Sequence, residues 1–354
     1  MTLFILSIVI RIHFFLFIFK RKIKESMNKS KYKLKSIQNI DKLKSDNKIS
    51  SSLYSKIKAH PALTITREED PTNLNKLFAS SLHLKYDEIK NLPSSFNPMV
   101  RWAKFLTPSL DQGKCGSCWA FASTSVLADR FNIQSEGKIH VVLSPAKLLL
   151  CDLSGIEISD DIVQAQKNND QEKIQEIMEQ ARKETSCGGN SLFDAWRYLY
   201  LLGTNTEKCV PYQLRSYLDK SISDATEEHE LPLCTDISGT SGDMCIDFDI
   251  LETGIESGTP AQFYRCITFY SIPGIEKDGG SEETIRNEIY HWGPVTTAMT
   301  LYSDFYEFNP NNQIYFWNGK GEQISGHAIA LYGWGEENGN KYWWVRNSWG
   351  KDWG

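Results

Sequence analysis

All ten tryptophans and all eight cysteines of this 354-residue chain lie after Asn91. A buried aromatic ring removes about 150 to 250 Å² from water, and disulfides join only segments that already meet, so such residues mark where a core forms. One core is therefore expected over residues 92–354, opening at Leu92-Pro93-Ser94-Ser95-Phe96. Residues 27–91 are rich in Lys, Ser, Asn and Ile, with helical patterning over Asn73–Lys90, and read as a helical arm without a core of its own. Residues 1–26 contain the apolar run Leu3–Phe19, interrupted by Arg11 and His13 and followed by Lys20, Arg21, Lys22 and Lys24. That run is signal- or anchor-like, so membrane association through residues 3–19 is an expectation, although a central arginine costs about 2.5 to 3.5 kcal/mol in a bilayer.

The net charge of −5 conceals an asymmetry. Residues 1–91 carry 18 Lys/Arg against 8 Asp/Glu, and the remainder carries 21 against 36. The two parts attract each other, as a detachable basic segment lying on an acidic domain does. A nucleic-acid-binding arm is the competing reading, but no recognition module accompanies it, so no nucleic-acid partner is expected.

Within 92–354 the periodicity predicts an amphipathic helix over Ser117–Gln134 with Trp119, Val126, Leu127 and Phe131 inward, and a solvated helix over Asp160–Lys183. Residues 204–260, rich in Ser, Thr, Asp and Gly and holding three cysteines, read as a stapled loop region. Val295–Tyr302, Gln313–Trp317, His327–Gly333 and Lys341–Arg346 read as antiparallel strands, with Trp343 and Trp344 as core aromatics. Helices first and strands second argue an α+β fold with a cleft between lobes.

The chemistry concentrates in Gln112-Gly113-Lys114-Cys115-Gly116-Ser117-Cys118-Trp119, a cysteine on a turn that opens a helix. The positive end of the helix dipole stabilises a thiolate there. A lone cysteine is more often an inert small hydrophobe, and a lone histidine a satisfied core residue; their company reverses that. Gly326-His327-Ala328, Tyr332-Gly333-Trp334-Gly335 and Asn347-Ser348-Trp349-Gly350 follow in order. The set resembles the papain family of cysteine proteases, and Leu92-Pro93, Gly293-Pro294-Val295 and Tyr302-Ser303-Asp304-Phe305 are similar to cathepsin B in particular.

The resemblance implies a papain-like two-lobed fold, a helical lobe and an antiparallel β-barrel-like lobe with the cleft between them, preceded by a propeptide. It implies Cys118 as nucleophile, His327 as proton carrier, Asn347 as the group that orients His327, and Gln112 as an oxyanion donor beside the Cys118 N–H. One such donor is worth about 2.7 to 4 kcal/mol in related acyl transfer. Trp349, backed by Trp353, shields the His–Asn bond, and Gly188-Gly189 forms the cleft wall where an extended substrate pairs. Peptide or protein substrates, the chain's own propeptide and cystatin-type inhibitors follow as partners; no metal or organic cofactor is implied.

Seven cysteines besides Cys118 argue an oxidising history; a secretory, endolysosomal or membrane-anchored location is expected, with packaging in a virus particle as the alternative. The resemblance pairs Cys115 with Cys187. Cys151, Cys209, Cys234 and Cys245 are expected in two further bridges of open connectivity, which leaves Cys266 over.

Cathepsin B clamps a substrate carboxylate with paired histidines. Here Pro211–Cys245 has one, His229, inside Glu227-Glu228-His229-Glu230, whose charges repel a carboxylate, so endopeptidase action is expected. Family members continue past the Trp-Gly corresponding to Trp353-Gly354 with a strand and tail lining the specificity pocket, and on that comparison the tail is expected to be lacking. The rival from another class is a catalytically weakened papain-like scaffold acting as a binding or structural protein. A complete Gln112, Cys118, His327 and Asn347 set argues against it.

Overall fold

The structure is a computed structural model; it describes residues 44–48, 50–52, 54–55, 92–152, 160–174, 176–177, 187–212, 263–267, 269–272, 281–309, 313–317, 319–351 and 353. The apolar run 3–19, the Asn73–Lys90 pattern, Cys234, Cys245 and His229 lie outside these residues.

Serines start most of the helices. Ser117 is the N-cap of α1, Cys118–Gln134. Ser144 caps α2, Pro145–Cys151, accepting from the Lys147 N–H at 3.1 Å, with Pro145 supplying the preset φ of a first helical residue. A second compact unit includes the described part of 157–177. By itself it holds α3, Asp160–Lys167, which ends where Asn169 takes φ 54°. Helix resumes at Gln171, with Asp170 Oδ1 capping the Lys173 N–H. One helix was expected over 160–183; the Asn-Asn-Asp stretch divides it, since Asn tolerates the left-handed conformation and Asp caps a new start. Residues 178–183 lie outside the described ones.

Ser191 caps α4, Leu192–Leu201, in a reciprocal arrangement with Asp194: its Oγ accepts from the Asp194 N–H at 3.0 Å and donates to Asp194 Oδ2 at 2.9 Å. Ser281 caps α5, Glu282–Trp292, whose first-turn Glu282 and Glu283 suit the helix dipole. α5 ends at Gly293, which has φ 107°, a conformation strained for any residue with a Cβ.

Three strands form an antiparallel meander in the order β1 (Val295–Tyr302), β2 (Gln323–Glu337), β3 (Asn340–Arg346). Thr297 faces Ile329 and Met299 faces His327 across β1 and β2. Central β2 is buried along most of its length, and glycine at 333 lets the Phe96 carbonyl approach to 2.2 Å from where a Cβ would stand. Phe96 and Trp334 then exchange backbone hydrogen bonds, which ties the entry segment to the sheet.

α1 is not amphipathic in place. Twelve of its 17 residues are buried, because α2 and α4 pack on it from one side and the sheet from the other. Its two buried hydroxyls that face the helix backbone are satisfied locally: Ser123 Oγ donates to the Trp119 carbonyl and Thr124 Oγ1 to the Ala120 carbonyl, both at 2.7 Å. Trp119, Val126 and Leu127 are buried as expected, whereas Phe131 is half-buried. Leu143, Leu148, Leu149, Leu150 and Leu199 complete the helical core. A sheet-side core gathers Phe96, Trp102, Ile289, Ile329 and Trp334.

Two sequence readings need correction. Gln313–Trp317 forms no strand; its rings are held by side-chain contacts, Tyr315 donating to Asp304 Oδ1 at 3.0 Å and Trp317 stacking on Tyr302 at 4.2 Å. Trp344 is exposed, and Trp343 is half-buried against the sheet-side core. β3 pairs with β2 on one edge among the described residues, and the neighbours Trp344 and Val345 are both exposed.

Candidate active site

α1 brings Cys118 to its first turn, and β2 brings His327 alongside. The N–H of Ala328, the residue after His327, donates to Cys118 Sγ at 3.4 Å. That contact joins positions 210 residues apart and sets the sulfur at the strand position adjoining the imidazole. Cys118 and His327 both have 0% exposure.

The imidazole is held from its far side. His327 Nε2 lies 2.7 Å from Asn347 Oδ1, which also accepts the Ser348 N–H at 2.8 Å. An amide oxygen accepts only, so Nε2 carries the proton and Nδ1 is the nitrogen open to protonation chemistry. Trp349 lies over the imidazole with ring centroids 5.3 Å apart, and Trp353 meets Trp349 edge-on at 4.9 Å. Trp349 itself is buried, 5% exposed.

Two loops that are distant in sequence are zipped together beneath the site. The Gln112 N–H donates to the Ser348 carbonyl at 2.8 Å, the Gly350 N–H to the Leu110 carbonyl at 3.2 Å, and Ser109 Oγ to the Asn347 carbonyl at 3.1 Å. Gln112 is fully buried; its Nε2 donates to the Cys115 carbonyl at 2.9 Å and its Oε1 accepts from Ser348 Oγ. These bonds fix the plane of the amide, and the bond to Cys115 uses one of its two N–H donors.

The Cys115–Cys187 disulfide expected from the resemblance is present, joining the nucleophile turn to the Gly188-Gly189 wall, and the Gly116 N–H donates to the Cys187 carbonyl at 3.1 Å. Gly188 is half-buried and Gly189 buried; Gly189 has φ 96°, and the next residue, Asn190, is buried with its amide on Asp152. Cys151 and Cys209 are each disulfide-bonded. Cys266 is a thiol, as the odd number of remaining cysteines requires, and burial pushes it up to about 12.

The structure thus brings Gln112, Cys118, His327, Asn347 and Trp349 together, with Gly188-Gly189 tied to the same turn by a disulfide. Sequence reasoning missed Ser348 as the clamp on Gln112, although it lies inside a quoted motif. It also missed Tyr212, whose phenol donates to the Gln112 carbonyl at 2.9 Å from 100 residues away. No spacing signals that contact.

The pattern describing papain family cysteine proteases matches residues 92–354. "Cathepsin B-like cysteine proteinase 4" of Caenorhabditis elegans is 28% identical over 272 residues, covering 74% of this chain and 68% of that protein. "Cathepsin B-like CP3" of Giardia intestinalis is 29% identical over 265 residues, covering 74% and 66%. Among solved structures, "proCathepsin B S9 from Trypanosoma congolense" superposes with a TM-score of 0.50 at 21% identity, over 84% of this chain and 78% of that one, a likeness of fold. A family pattern matched over 92–354 means that the chain belongs to the papain family of cysteine proteases, and the relatives that it is similar to within that family are cathepsin B-like.

Proposed function

We propose that the chain is a cysteine endopeptidase made as a zymogen. The observation that carries this reading is the line Cys118 Sγ, His327, Asn347 Oδ1, in which the imidazole is held by Nε2 and keeps Nδ1 for the reaction. The Cys118 thiolate adds to the peptide carbonyl, and the oxyanion is received by the Cys118 N–H and the Gln112 amide. His327 Nδ1 gives its proton to the leaving amine as the C–N bond breaks and a thioester forms. Water then attacks the thioester, His327 takes a proton from it, and the acid product leaves with Cys118 restored. Asn347, being neutral, orients the ring without cancelling the imidazolium charge beside the thiolate.

Two observations support the zymogen reading. Cys118 and His327 have no exposed surface, as expected where a segment covers the cleft. Tyr54, from the basic arm, packs against the cluster of Leu301, Phe305, Tyr306, Ile324 and Trp349, and Lys48 lies 3.8 Å from Glu322. The exposed ion pair is worth about 1 kcal/mol at most, so the ring contact and the opposed overall charges hold the arm. Acidification protonates carboxylates of the domain and weakens that attraction, which is the proposed trigger for removal of residues 27–91.

An epoxide electrophile built on a peptide tests both parts. It is expected to label Cys118 slowly in the full chain and at least tenfold faster in a chain beginning at Leu92, and not to label Cys118→Ala. Equal labelling of the two lengths rejects the zymogen reading; labelling elsewhere, or none in the short chain, rejects the nucleophile.

The endopeptidase assignment rests on the acidic surroundings of His229 and has its own measurement. A peptide amidated at its C terminus is expected to be cut internally as fast as the free acid. Stepwise release of dipeptides from the free acid alone would instead show a carboxylate clamp. Cystatin-type inhibitors belong to the same proposal, since they enter the cleft that the arm vacates.

A further inference from the structure

Tyr212 stands where the two ends of the nucleophile turn meet. Its phenol donates to the Gln112 carbonyl at 2.9 Å and lies 3.0 Å from Ser117 Oγ. A carbonyl only accepts, so the phenol proton goes to Gln112 and the Ser117 hydroxyl donates to the phenol oxygen. One ring therefore grips the residue proposed to receive the oxyanion and the N-cap of the helix that carries Cys118. Phe121, one turn into that helix, meets the ring edge-on at 4.6 Å.

The main chain of Tyr212 is held in turn by Glu207. Its N–H donates to Glu207 Oε1 at 2.5 Å. The Glu207 backbone is itself anchored, its N–H donating to the Val142 carbonyl at 2.7 Å while the Val210 N–H closes a turn onto the Thr206 carbonyl. The other carboxyl oxygen, Oε2, is buried with no hydrogen-bond partner among the described residues. A carboxyl so placed costs the fold desolvation, and burial pushes Glu207 up to about 7. The bond to Tyr212 is the return on that cost.

We propose that Glu207 is a positioning residue for the nucleophile turn: it fixes Tyr212, and Tyr212 fixes the Gln112 carbonyl and the Ser117 hydroxyl, so that the oxyanion donors stay aligned. The inference rests on the peptidase reading above and adds to it the support that keeps those donors in place. Glu207 touches no substrate; it acts through Tyr212.

Three variants of the full chain, activated at acidic pH, test the proposal. Glu207→Ala removes the acceptor, Glu207→Gln keeps an acceptor without charge, and Tyr212→Phe removes the phenol alone. Glu207→Ala is expected to lower kcat on an internally quenched peptide by ~10-fold with KM within twofold, as small misplacement of reacting groups does. Alkylation of Cys118 by iodoacetamide, which needs the thiolate but no oxyanion donor, is expected to stay within twofold. Amide hydrogen exchange over 112–118 is expected to quicken. Glu207→Gln should restore kcat and the exchange rate, and Tyr212→Phe should reproduce the loss without adding to that of Glu207→Ala.

A fall in alkylation parallel to kcat, with Gln no better than Ala, would overturn the proposal as mere loss of folding. So would unchanged kcat and exchange in Glu207→Ala. Should the wild-type protein cleave no peptide, the peptidase reading fails and exchange decides alone: quickening in Ala but not in Gln upholds the positioning role, and no change overturns it.

Discussion

Replacing His327 by alanine is expected to lower kcat/KM for peptide hydrolysis by ~10³- to 10⁴-fold, the upper part of the range that general acid–base catalysis supplies. At about 1.36 kcal/mol per tenfold, that is roughly 4 to 5.5 kcal/mol of barrier. The loss has two sources in the geometry. With Nε2 committed to Asn347 Oδ1, Nδ1 is the atom proposed to protonate the leaving amine, and alanine removes that donor. The imidazolium also stabilises the thiolate, so the nucleophile itself becomes scarce. KM should move little, because the Gly188-Gly189 wall is untouched. The measurement is steady-state kinetics on an amidated peptide, with near-ultraviolet circular dichroism to show that the core stands. A variant retaining a tenth or more of the wild-type rate would mean that His327 is a core histidine after all. Exogenous imidazole should recover part of the loss, since alanine leaves the space of a ring beneath Trp349.

The site was legible in the sequence because its residues belong to short stretches whose chemistry shows in the letters themselves. A cysteine after Ser117 at a helix start, and an asparagine beside Ser348 and Trp349, need no distant partner to be noticed. The fold was legible where one period dominated, as in Val295–Tyr302, whose bounds in the structure are those expected from its sequence. It was less so where tertiary packing overrode the pattern. α1 looks amphipathic in sequence, yet layers close on it from both sides, and Ser123 and Thr124 turn inward because the helix backbone satisfies their hydroxyls. Gln313–Trp317 has the letters of a strand, but Tyr315 bonds Asp304 and Trp317 stacks on Tyr302, and no ladder joins the segment to the sheet among the described residues. Glu207 and Tyr212 were invisible for a different reason. Their bond runs from a side chain to a backbone N–H, and the phenol reaches a carbonyl 100 residues away, so residue type at neither end announces the contact.

The largest loss of stability is expected from Asp129→Ala. Asp129 is wholly buried in α1 and accepts from three donors: the Thr107 N–H at 2.7 Å, the Tyr332 hydroxyl at 2.5 Å and Arg346 Nη1 at 2.6 Å. These come from the entry segment, β2 and β3, so one carboxylate ties the helical layer to the sheet. Burial is the first reason that the Tyr332 phenol stays protonated far above its ordinary range, and it therefore always has a proton to donate. Removing the carboxylate strands a guanidinium that is only 13% exposed, and breaking a buried pair from one side costs about 3 to 5 kcal/mol. Arg346 immediately precedes Asn347, so the same change should loosen the loop that orients His327. Urea unfolding is the measurement, in a Cys118→Ala background so that self-digestion does not distort it. Adding Arg346→Met should recover part of the loss, because the orphaned charge goes with it, whereas Thr107 and Tyr332 remain without their acceptor. If the single and double variants unfold at the same urea concentration as the parent, the pair is a bystander, and the helix–sheet junction is held by the apolar packing of Val126, Ala330 and Tyr332 alone.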